Sequence, residues 1–299
     1  MGKLETRGEK SFRIFALVLL SILTLLAILP FILIIVSSFT DEATLVSNGY
    51  SYFPAKWSLD SYRYMVQQAK VIFRSYGVSI LVTTVGTAMS LLLTTSLAYP
   101  MSRSDFKYRN VLAFLVFFTM LFSGGIVPSY IMWTRVFHIN DTIWALIIPN
   151  YLMNAFNVLL VRNYFKNNIP DAIIESAQID GAGEGRILFR IMLPLAVPVS
   201  VTVGLFSGLA YWNDWINALY YIESPKLYGI QNLLIRMMNN IQFLSSGQNA
   251  SLLGNSIIAL PSNGIRMALA VIGILPILII FPFLQKYLIK GVVIGAVKG

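Results

Sequence analysis

The sequence contains no cysteine, a single histidine and few charges, since acidic and basic residues make up only 12% of its 299 residues. Without cysteine, the chain can form no disulfide, no thiolate metal site and no cysteine nucleophile. The histidine, His138, has no second histidine and no acid at ligand spacing, so we expect no metal site. The sequence also lacks a Walker lysine and any grouping of histidine with acids. We therefore expect a chain that is not an enzyme and holds no cofactor of its own.

Apolar sequence is abundant, because 57% of the residues are hydrophobic and charges are excluded from several long runs. A bilayer core of about 30 Å needs roughly 20 apolar residues per helix. The sequence therefore predicts an all-α membrane protein with six transmembrane helices. The six runs are Ile14–Ser38, Ser75–Ser102, Asn110–Thr134, Thr142–Val161, Ile191–Ile222 and Met267–Gln285.

The first run resembles a signal peptide, because basic residues precede it. Its 25 residues are longer than the usual apolar segment of about 7 to 15, and no small-residue cleavage site closes the run. We expect a helix that is retained in the mature protein.

The basic residues predict the orientation in the membrane. If the N-terminus lies in the cytoplasm, the inner segments carry fourteen of the 22 Lys and Arg residues, and the outer segments carry the other eight. The positive-inside rule then favours both termini in the cytoplasm. The net charge of +9 does not indicate nucleic acid, because the basic residues flank apolar runs and form no compact patch with aromatics.

Two outer segments are long, Phe39–Arg74 and Glu223–Arg266. The first predicts an amphipathic interfacial helix over Leu59–Arg74. The second contains the flexible polar stretch Ser245–Asn249. Both segments have the length to meet an extracellular partner or to serve as plain connectors.

The inner segment 169–194 predicts two short helices joined by a turn. Pro170 suits a first helical turn, which Asp171 and Glu175 favour by their negative charge near the helix N-terminus. The glycines that should break this helix are Gly181, Gly183 and Gly185. Residues 181–186 match neither glycine-rich nucleotide motif and follow no strand, so nucleotide binding is not expected there.

A second short helix should follow the glycines and end at Pro194. Its apolar face should consist of Ile187, Leu188 and Ile191. On the first helix we expect a small apolar ridge that docks in a groove on a partner protein, formed by Ile173, Ile174 and Ala177. The alternative is an ordinary re-entrant connector.

Seven loop residues stand at the offsets of a known motif: Glu175, Ala177, Asp180, Gly181, Ile191, Leu193 and Pro194. They resemble the EAA loop of binding-protein-dependent ABC importer permeases, in which Glu-Ala-Ala precedes a glycine and a later Ile-x-Leu-Pro. Ser176 replaces the middle alanine, a small change in side-chain size. Further segments look like the carbohydrate-uptake branch, specifically the maltose-type second permease and its relatives for complex oligosaccharides. They are Ser102–Phe106, Gln285–Gly291 and Gly295–Gly299.

The resemblance implies a type I ABC importer transmembrane domain in a bacterial cytoplasmic membrane, with a cytoplasmic helix-turn-helix coupling loop at residues 169–194, called the coupling loop below. Its implied partners are a second permease subunit, two ATPase subunits that bind ATP and Mg, and an extracytoplasmic solute-binding protein. The implied division is a cytoplasmic N-terminus (1–13), a first helix (14–38), an importer core (75–290) and a cytoplasmic tail (291–299). The implied ATPase-coupling residues are Glu175, Ser176, Ala177, Asp180, Gly181, Ala182, Ile191, Leu193 and Pro194.

Polar residues inside the apolar runs suggest a path for a polar solute, because such residues are costly unless they face a cavity or a partner helix. Three stripes at helical spacing are Ser207, Tyr211, Asp214, Asn217 and Tyr221; Asn150, Asn154 and Asn157; and Ser79, Thr83, Thr87, Ser90 and Thr94. Amides, acids and aromatic rings bind and stack on sugars. We expect the fourth and fifth spans to line the path through Asn150, Asn154, Asn157, Tyr211, Trp212, Asp214, Trp215 and Asn217. Interhelical hydrogen bonds are the alternative, and the favoured one for the hydroxyl stripe.

The function expected from the resemblance is that of a permease subunit in an ATP-driven carbohydrate importer, with oligosaccharides as the expected substrates, working by alternating access. A peptide or amino-acid importer is the alternative within the same class. A secondary transporter would need coupling acids near the bilayer midplane and internal repeats, and Asp214 is the only acid in these runs.

Gly204 and Gly208 form a G-x-x-x-G pair that predicts close packing with another helix.

Overall fold

The computed structural model describes residues 7–245 and 262–296, which are helical apart from turns and one isolated bridge between Thr40 and Trp57. In chain order the α-helices are α1 (Arg7–Ser38), α2 (Glu42–Asn48), α3 (Asp60–Gln67), α4 (Ala69–Ser102), α5 (Arg109–Leu121), α6 (Ile126–Ile131), α7 (Trp144–Ile147), α8 (Ala155–Asn168), α9 (Asp171–Ile179), α10 (Glu184–Ile187), α11 (Leu193–Leu195), α12 (Val197–Trp212), α13 (Ile216–Tyr221), α14 (Ile230–Ser245) and α15 (Ser262–Ala296). Turns of π-helix at Met132–Val136 and Leu188–Met192 continue α6 and α10.

Three helices in this described part are long and apolar enough to cross a bilayer, at Lys10–Ser38, Ala69–Ser102 and Asn263–Pro282. They correspond to the first, second and sixth predicted spans. The number rises to five if each of two bent helix pairs counts as one span. The chain is therefore a multi-pass membrane protein, and the number of six spans stays a prediction.

The third predicted span is not one straight helix. The pair of α5 and the α6 segment that ends at Val136 is bent by 114°. Gly125 adopts a φ of +83°, a left-handed conformation that glycine accepts without steric cost, and it accepts a hydrogen bond from the Ser129 hydroxyl at 2.9 Å. The bend therefore comes from local backbone geometry that a count of apolar residues does not detect.

The fourth predicted span, Thr142–Val161, was wrong as a continuous helix. After α7 the chain turns at Pro149 and Asn150, and Asn150 has a positive φ of 67°. Helix α8 then begins at Ala155, and its N-cap residue Asn154 accepts the backbone N–H of Asn157 at 3.2 Å. Asn150, Asn154 and Asn157 are thus a turn residue, a cap and a helical residue, and they do not form a stripe on one helix.

The fifth predicted span is broken twice. The segment Glu184–Leu195 meets α12 at an angle of 85°, where Pro198 removes a helical N–H donor. The second break lies between α12 and α13, where the Asp214 carboxylate accepts the backbone N–H groups of Ile216 and Asn217 at 3.0 and 3.1 Å. Such capping competes with a continuous helix.

The predicted features near the C-terminus are described only in part. Helix α15 extends to Ala296. It therefore continues past Gln285, the predicted end of the sixth span, and past residue 291, where the cytoplasmic tail was predicted to begin. The predicted flexible stretch Ser245–Asn249 lies outside the described residues beyond Ser245, as do residues 297–299 of the predicted tail.

The chain divides into two compact units, and the first consists of Met1–Ala69 and Arg236–Pro276. Within it, the Glu42 carboxylate accepts the backbone N–H groups of Asn263 and Gly264, each at 2.9 Å. This contact satisfies free donors in the first turn of α15 and ties α2 to it. The predicted interfacial helix Leu59–Arg74 is not one helix, because residues 60–67 form α3 and residues 69–74 are the beginning of α4. The membrane location of α3 stays a prediction.

The second unit, Lys70–Ile235 with Ile277–Gly299, contains the coupling loop. In it α4 packs closely on α12. A side chain on Gly204 would lie 3.2 Å from Leu91, and Ser90 and Ser207 share a hydrogen bond of 3.3 Å. The G-x-x-x-G pair thus marks close packing, as predicted, and Ser90 of the hydroxyl stripe makes an interhelical bond.

We predict opposite effects of alanine at two glycines of α4. A Cβ on Gly86 would lie 2.6 Å from the Tyr211 ring, whereas a Cβ on Gly77 would meet nothing within 4 Å. Gly86→Ala should therefore destabilise the protein by about 1–3 kcal/mol through overpacking. Gly77→Ala should be neutral or stabilising by up to about 1 kcal/mol, because alanine favours helix. Thermal unfolding of both variants in detergent checks this, and equal midpoints would contradict the α4–α12 contact.

Candidate coupling loop and intramembrane polar residues

The first helix of the loop, α9, begins after Pro170 and ends in a left-handed glycine. Gly181 has a φ of +77°. Its N–H donates to the Gln178 carbonyl at 3.0 Å, and the Ala182 N–H donates to the Ala177 carbonyl at 2.9 Å. These two bonds form a Schellman motif, which satisfies carbonyls at the end of α9. The structure contains the predicted helix and its break at Gly181, and the coupling role of this helix stays a prediction.

The second helix continues further than predicted. Residues 184–195 run through α10, a π-helical turn and α11, so that Pro194 lies in the first turn of α11 and does not end the segment. Proline has no N–H to donate to the preceding turn, so the helical segment continues through Pro194 without that hydrogen bond. Ile187 and Leu188 are buried and Ile191 is partly buried, as the predicted apolar face requires.

One face of α9 packs inside the protein itself. Ile174 and Ala177 are buried, and they belong to the same apolar core as Phe165 of α8, Met101 of α4 and Ile187 of α10. The predicted exposed ridge was therefore wrong for Ile174 and Ala177. An apolar side chain that packs against its own core is no longer available to a partner.

The opposite face of α9 and the turn are exposed. Ile179 is 86% exposed and Ile173 is 39% exposed. Of the predicted coupling residues, five are exposed: Glu175, Ser176, Asp180, Gly181 and Pro194. Ala182 and Leu193 are partly buried. The Ser176 hydroxyl donates to the Ala172 carbonyl at 2.7 Å, so serine in place of the family alanine adds no unpaired polar group.

A cluster of polar side chains connects the loop to the end of α4. The Arg103 guanidinium is buried and donates to both oxygens of Asp105, at 2.8 and 2.5 Å, and to the Tyr99 hydroxyl at 3.0 Å. The Tyr99 hydroxyl donates to Oε2 of Glu184, and Arg103 Nη1 lies 3.6 Å from that oxygen. Gln178 donates to Oε1 of Glu184 at 3.2 Å. We call these five residues the Arg103 cluster.

The charges of the Arg103 cluster support one another. The hydrogen bonds between Arg103 and Asp105 raise the pKa of the guanidinium and lower the pKa of the carboxyl, so both groups stay ionised. A buried cation without such a partner would be strongly destabilising. The predicted site residues did not include this cluster. The sequence carried a signal, because Arg103 and Asp105 lie in a family-like segment and Glu184 lies in the glycine-rich turn.

Four of the predicted path residues make hydrogen bonds that hold broken helices together. Asn150 donates to the Asn217 side chain at 2.9 Å, and Asn217 donates to the Pro149 carbonyl at 3.0 Å. The buried Tyr211 hydroxyl donates to the Ile147 carbonyl at 2.9 Å. Together with the capping by Asp214, these contacts join the turn after α7 to α12 and α13.

Asn154 and Asn157 face a cavity of about 360 Å³. Asn157 donates to the Ser207 hydroxyl at 3.4 Å. The cavity is also lined by Tyr151, Phe156, Phe206, Ser207 and Ala210. Trp212 is buried and its ring lies 6.2 Å from that of Tyr76, while Trp215 is 38% exposed. The polar residues therefore divide into a structural group and a cavity-facing group.

Comparison with known proteins places the chain in a family. Residues 7–294 match the family model described as "Binding-protein-dependent transport system inner membrane component". The chain belongs to this family. It is similar to Protein LplC of Bacillus subtilis (strain 168), with 40% identity over 99% of this chain and 97% of that protein. It is also similar to the polygalacturonan/rhamnogalacturonan transport system permease protein YtcP of the same strain, with 39% identity, 92% of this chain and 94% of that protein covered.

A solved structure supports the same placement. The crystal structure of a bacterial ABC transporter involved in the import of the acidic polysaccharide alginate contains a chain with a TM-score of 0.79 and 28% identity. The match covers 96% of this chain and 99% of that one. This family member accordingly has the type I ABC importer permease fold.

In this permease, we predict that a large residue at position 177 damages the fold, not a partner contact. Ala177→Leu should cost about 1–3 kcal/mol because it overpacks the core around Phe165. Ser176→Leu, one residue away on the exposed face, should change stability by less than about 0.5 kcal/mol. Thermal unfolding of the isolated subunit measures both values. Wild-type stability of Ala177→Leu would show that this alanine is free to contact another protein.

Proposed function

We propose that the chain is a permease subunit of an ATP-driven carbohydrate importer, and that its substrates are oligosaccharides. Membership of the binding-protein-dependent transport family supports the transport role. The relatives named for polygalacturonan/rhamnogalacturonan transport and alginate import support a carbohydrate substrate, and both are similar over nearly the whole chain. Such a subunit carries out no catalysis itself. It works with a second permease subunit, two ATPase subunits that bind ATP and Mg, and an extracytoplasmic solute-binding protein.

The single observation that carries the coupling role is the two-sided loop. Its inner face, with Ile174 and Ala177, is fixed in the permease core, while Glu175, Ile179, Asp180 and Gly181 protrude from it. A short helix that presents apolar and acidic groups on a rigid base is suited to a groove on a partner protein. We infer that these four residues dock on an ATPase subunit. Ser176 lies on the same face. We assign the other predicted coupling residues the role of holding this exposed face in position; they are Ala177, Ala182, Ile191, Leu193 and Pro194.

The mechanism inferred from this arrangement is alternating access. The loop continues directly from α8 and into α10–α12, so a displacement imposed by the ATPases reaches these helices through the backbone. Rigid-body rocking of packed helices is a known way to switch between two states. The proposed orientation puts the loop and both termini in the cytoplasm, in agreement with the distribution of Lys and Arg.

The proposed solute path runs along the cavity that Asn154 and Asn157 face, beside Phe156 and Phe206. Its volume of about 360 Å³ lies within the range of about 300–1,000 Å³ for small-molecule sites. Amides and aromatic rings suit the hydroxyl groups and apolar faces of sugars. Asn150, Tyr211, Trp212, Asp214, Trp215 and Asn217 belong to the wall of this path, most of them through the contacts that keep the broken helices together.

The substrate class is tested by uptake into proteoliposomes that hold the complete transporter and its binding protein. We predict ATP-dependent uptake of labelled oligosaccharides, measured with acidic and neutral sugars side by side, and no uptake of peptides or amino acids. Peptide uptake would replace the carbohydrate assignment. Uptake driven by a proton or sodium gradient without ATP would overturn the ATP-driven mechanism.

Gly181 provides a test of the docking turn. Gly181→Trp adds a bulky side chain to an exposed left-handed position, which should strain the backbone and block docking. We predict a loss of uptake of at least about tenfold, the size expected for a docking hot spot, with the ATPase released or hydrolysing ATP without transport. Gly181→Asn is the matched control, because asparagine tolerates a positive φ. Normal uptake by the tryptophan variant would remove the assignment of this turn to the ATPase interface.

A further inference from the structure

Helix α4 has no direct chain connection to the coupling loop. Helix α8 runs into the loop and α12 follows it, whereas α4 ends at Ser102, well before the loop begins. A displacement of the loop thus reaches α8 and α12 through the backbone. It reaches α4 only through side-chain contacts.

Helix α4 is placed to carry such a displacement through the second unit. Its Ser79 hydroxyl accepts the backbone N–H of Ile230 at 2.8 Å, and its Gly86 lies directly against Tyr211. With 34 residues it spans about 50 Å at ~1.5 Å per residue. Whatever moves its loop-side end therefore acts on the packing around Tyr211 and on the start of α14.

At that loop-side end, Met101 of α4 shares the apolar core with Ile174 and Ile187 of the loop. The polar contacts there are the Arg103 cluster and one neighbouring bond. Glu184, on the loop, meets Tyr99 and Arg103, which belong to α4 and the residue after it. Beside them the Ser104 hydroxyl donates to Asp171 of α9 at 3.2 Å. Both helices of the loop thus contact the end of α4.

We propose that Glu184 and Arg103 form a joint that makes α4 move together with the coupling loop, with Arg103 acting as a positioning residue. This inference rests on the proposed function, because a joint matters only if the loop is driven by an ATPase. Arg103 suits the role because Asp105, which lies outside the loop, fixes its guanidinium in a bidentate geometry. The joint stays closed throughout the transport cycle, and the loop and α4 move as one body.

The experiment measures solute uptake per ATP hydrolysed by the complete transporter in proteoliposomes. Glu184→Ala should lower this ratio by about 2- to 30-fold, the range for residues that couple two sites, while the subunits still assemble. Glu184→Gln should lower it less, because its side-chain oxygen still accepts the Tyr99 hydroxyl. Lys166→Ala is the control, since this residue near the end of α8 is also charged and exposed but lies outside the cluster. Thermal unfolding of each variant separates loss of coupling from loss of fold.

A cross-link at the neighbouring contact tests whether the joint stays closed. Because the chain contains no cysteine, a short bifunctional thiol reagent will bridge only an introduced pair within it, Ser104→Cys with Asp171→Cys. In the Glu184→Ala background this bridge should restore uptake per ATP, and in the otherwise unchanged chain it should leave transport intact.

Two results would overturn the joint. One is an unchanged ratio in Glu184→Ala, and the other is arrest of transport by the bridge, which would mean that the contact opens during the cycle. If Gly181→Trp uncouples the transporter and Glu184→Ala does not, the proposed joint is refuted and the proposed function stands. The proposed function itself fails if ATP hydrolysis by the unmodified complex drives no uptake.

Discussion

Apolar side chains buried on one side hold α9 and α10 rigidly, and the proposed function depends on this rigidity, since it requires another protein to push on the loop. Ile174, Ala177 and Ile187 lie in the same core as Phe165 and Val161 of α8. Close-packed interiors have low compressibility and transmit strain. The exposed face of α9, the Schellman turn at Gly181 and the Arg103 cluster all depend on this packing, because each needs a fixed backbone beneath it.

A second constraint explains most of the polar residues inside the apolar runs. Where a helix breaks within a membrane, its free N–H and C=O groups need partners from the protein, because the bilayer core supplies none. Asn217, Tyr211 and Asp214 provide these partners around the turn after α7 and at the start of α13. Asn154 and Asn157 remain on the cavity side. The polar residues of a stripe in a membrane sequence can therefore serve to hydrogen-bond the free backbone groups of a broken helix as readily as to line a solute path.

The sequence was sufficient for features that depend on length and on backbone-specific residues. Long apolar runs predicted α1, α4 and α15, and Pro170 and Gly181 predicted both ends of α9. The breaks at Asn150 and at Asp214 were not predictable from hydropathy, since capping and a positive φ leave the apolar count unchanged. Helical offsets across Asp214 assumed a continuous helix that the capping carboxylate interrupts.

The direction in which α9 buries its apolar residues was also beyond the sequence. Ile173, Ile174 and Ala177 are all apolar, and periodicity alone cannot distinguish a face that meets the chain's own core from one that meets a partner. The Arg103 cluster joins residues about eighty positions apart, so its two halves appear unrelated until α4 and α10 are brought together. Long-range polar contacts of this kind are set by packing and leave no local pattern.

The most direct measurement is cross-linking from the exposed tip of the loop in the assembled, transporting complex. A cysteine at Ile179, 86% exposed, should cross-link to the ATPase subunit and should react with impermeant thiol reagents only from the cytoplasmic side. A cysteine at Trp57, in the segment assigned to the outer side, should show the opposite accessibility and no such cross-link. Labelling of position 179 from outside, or its failure to reach the ATPase in an active complex, would contradict the account.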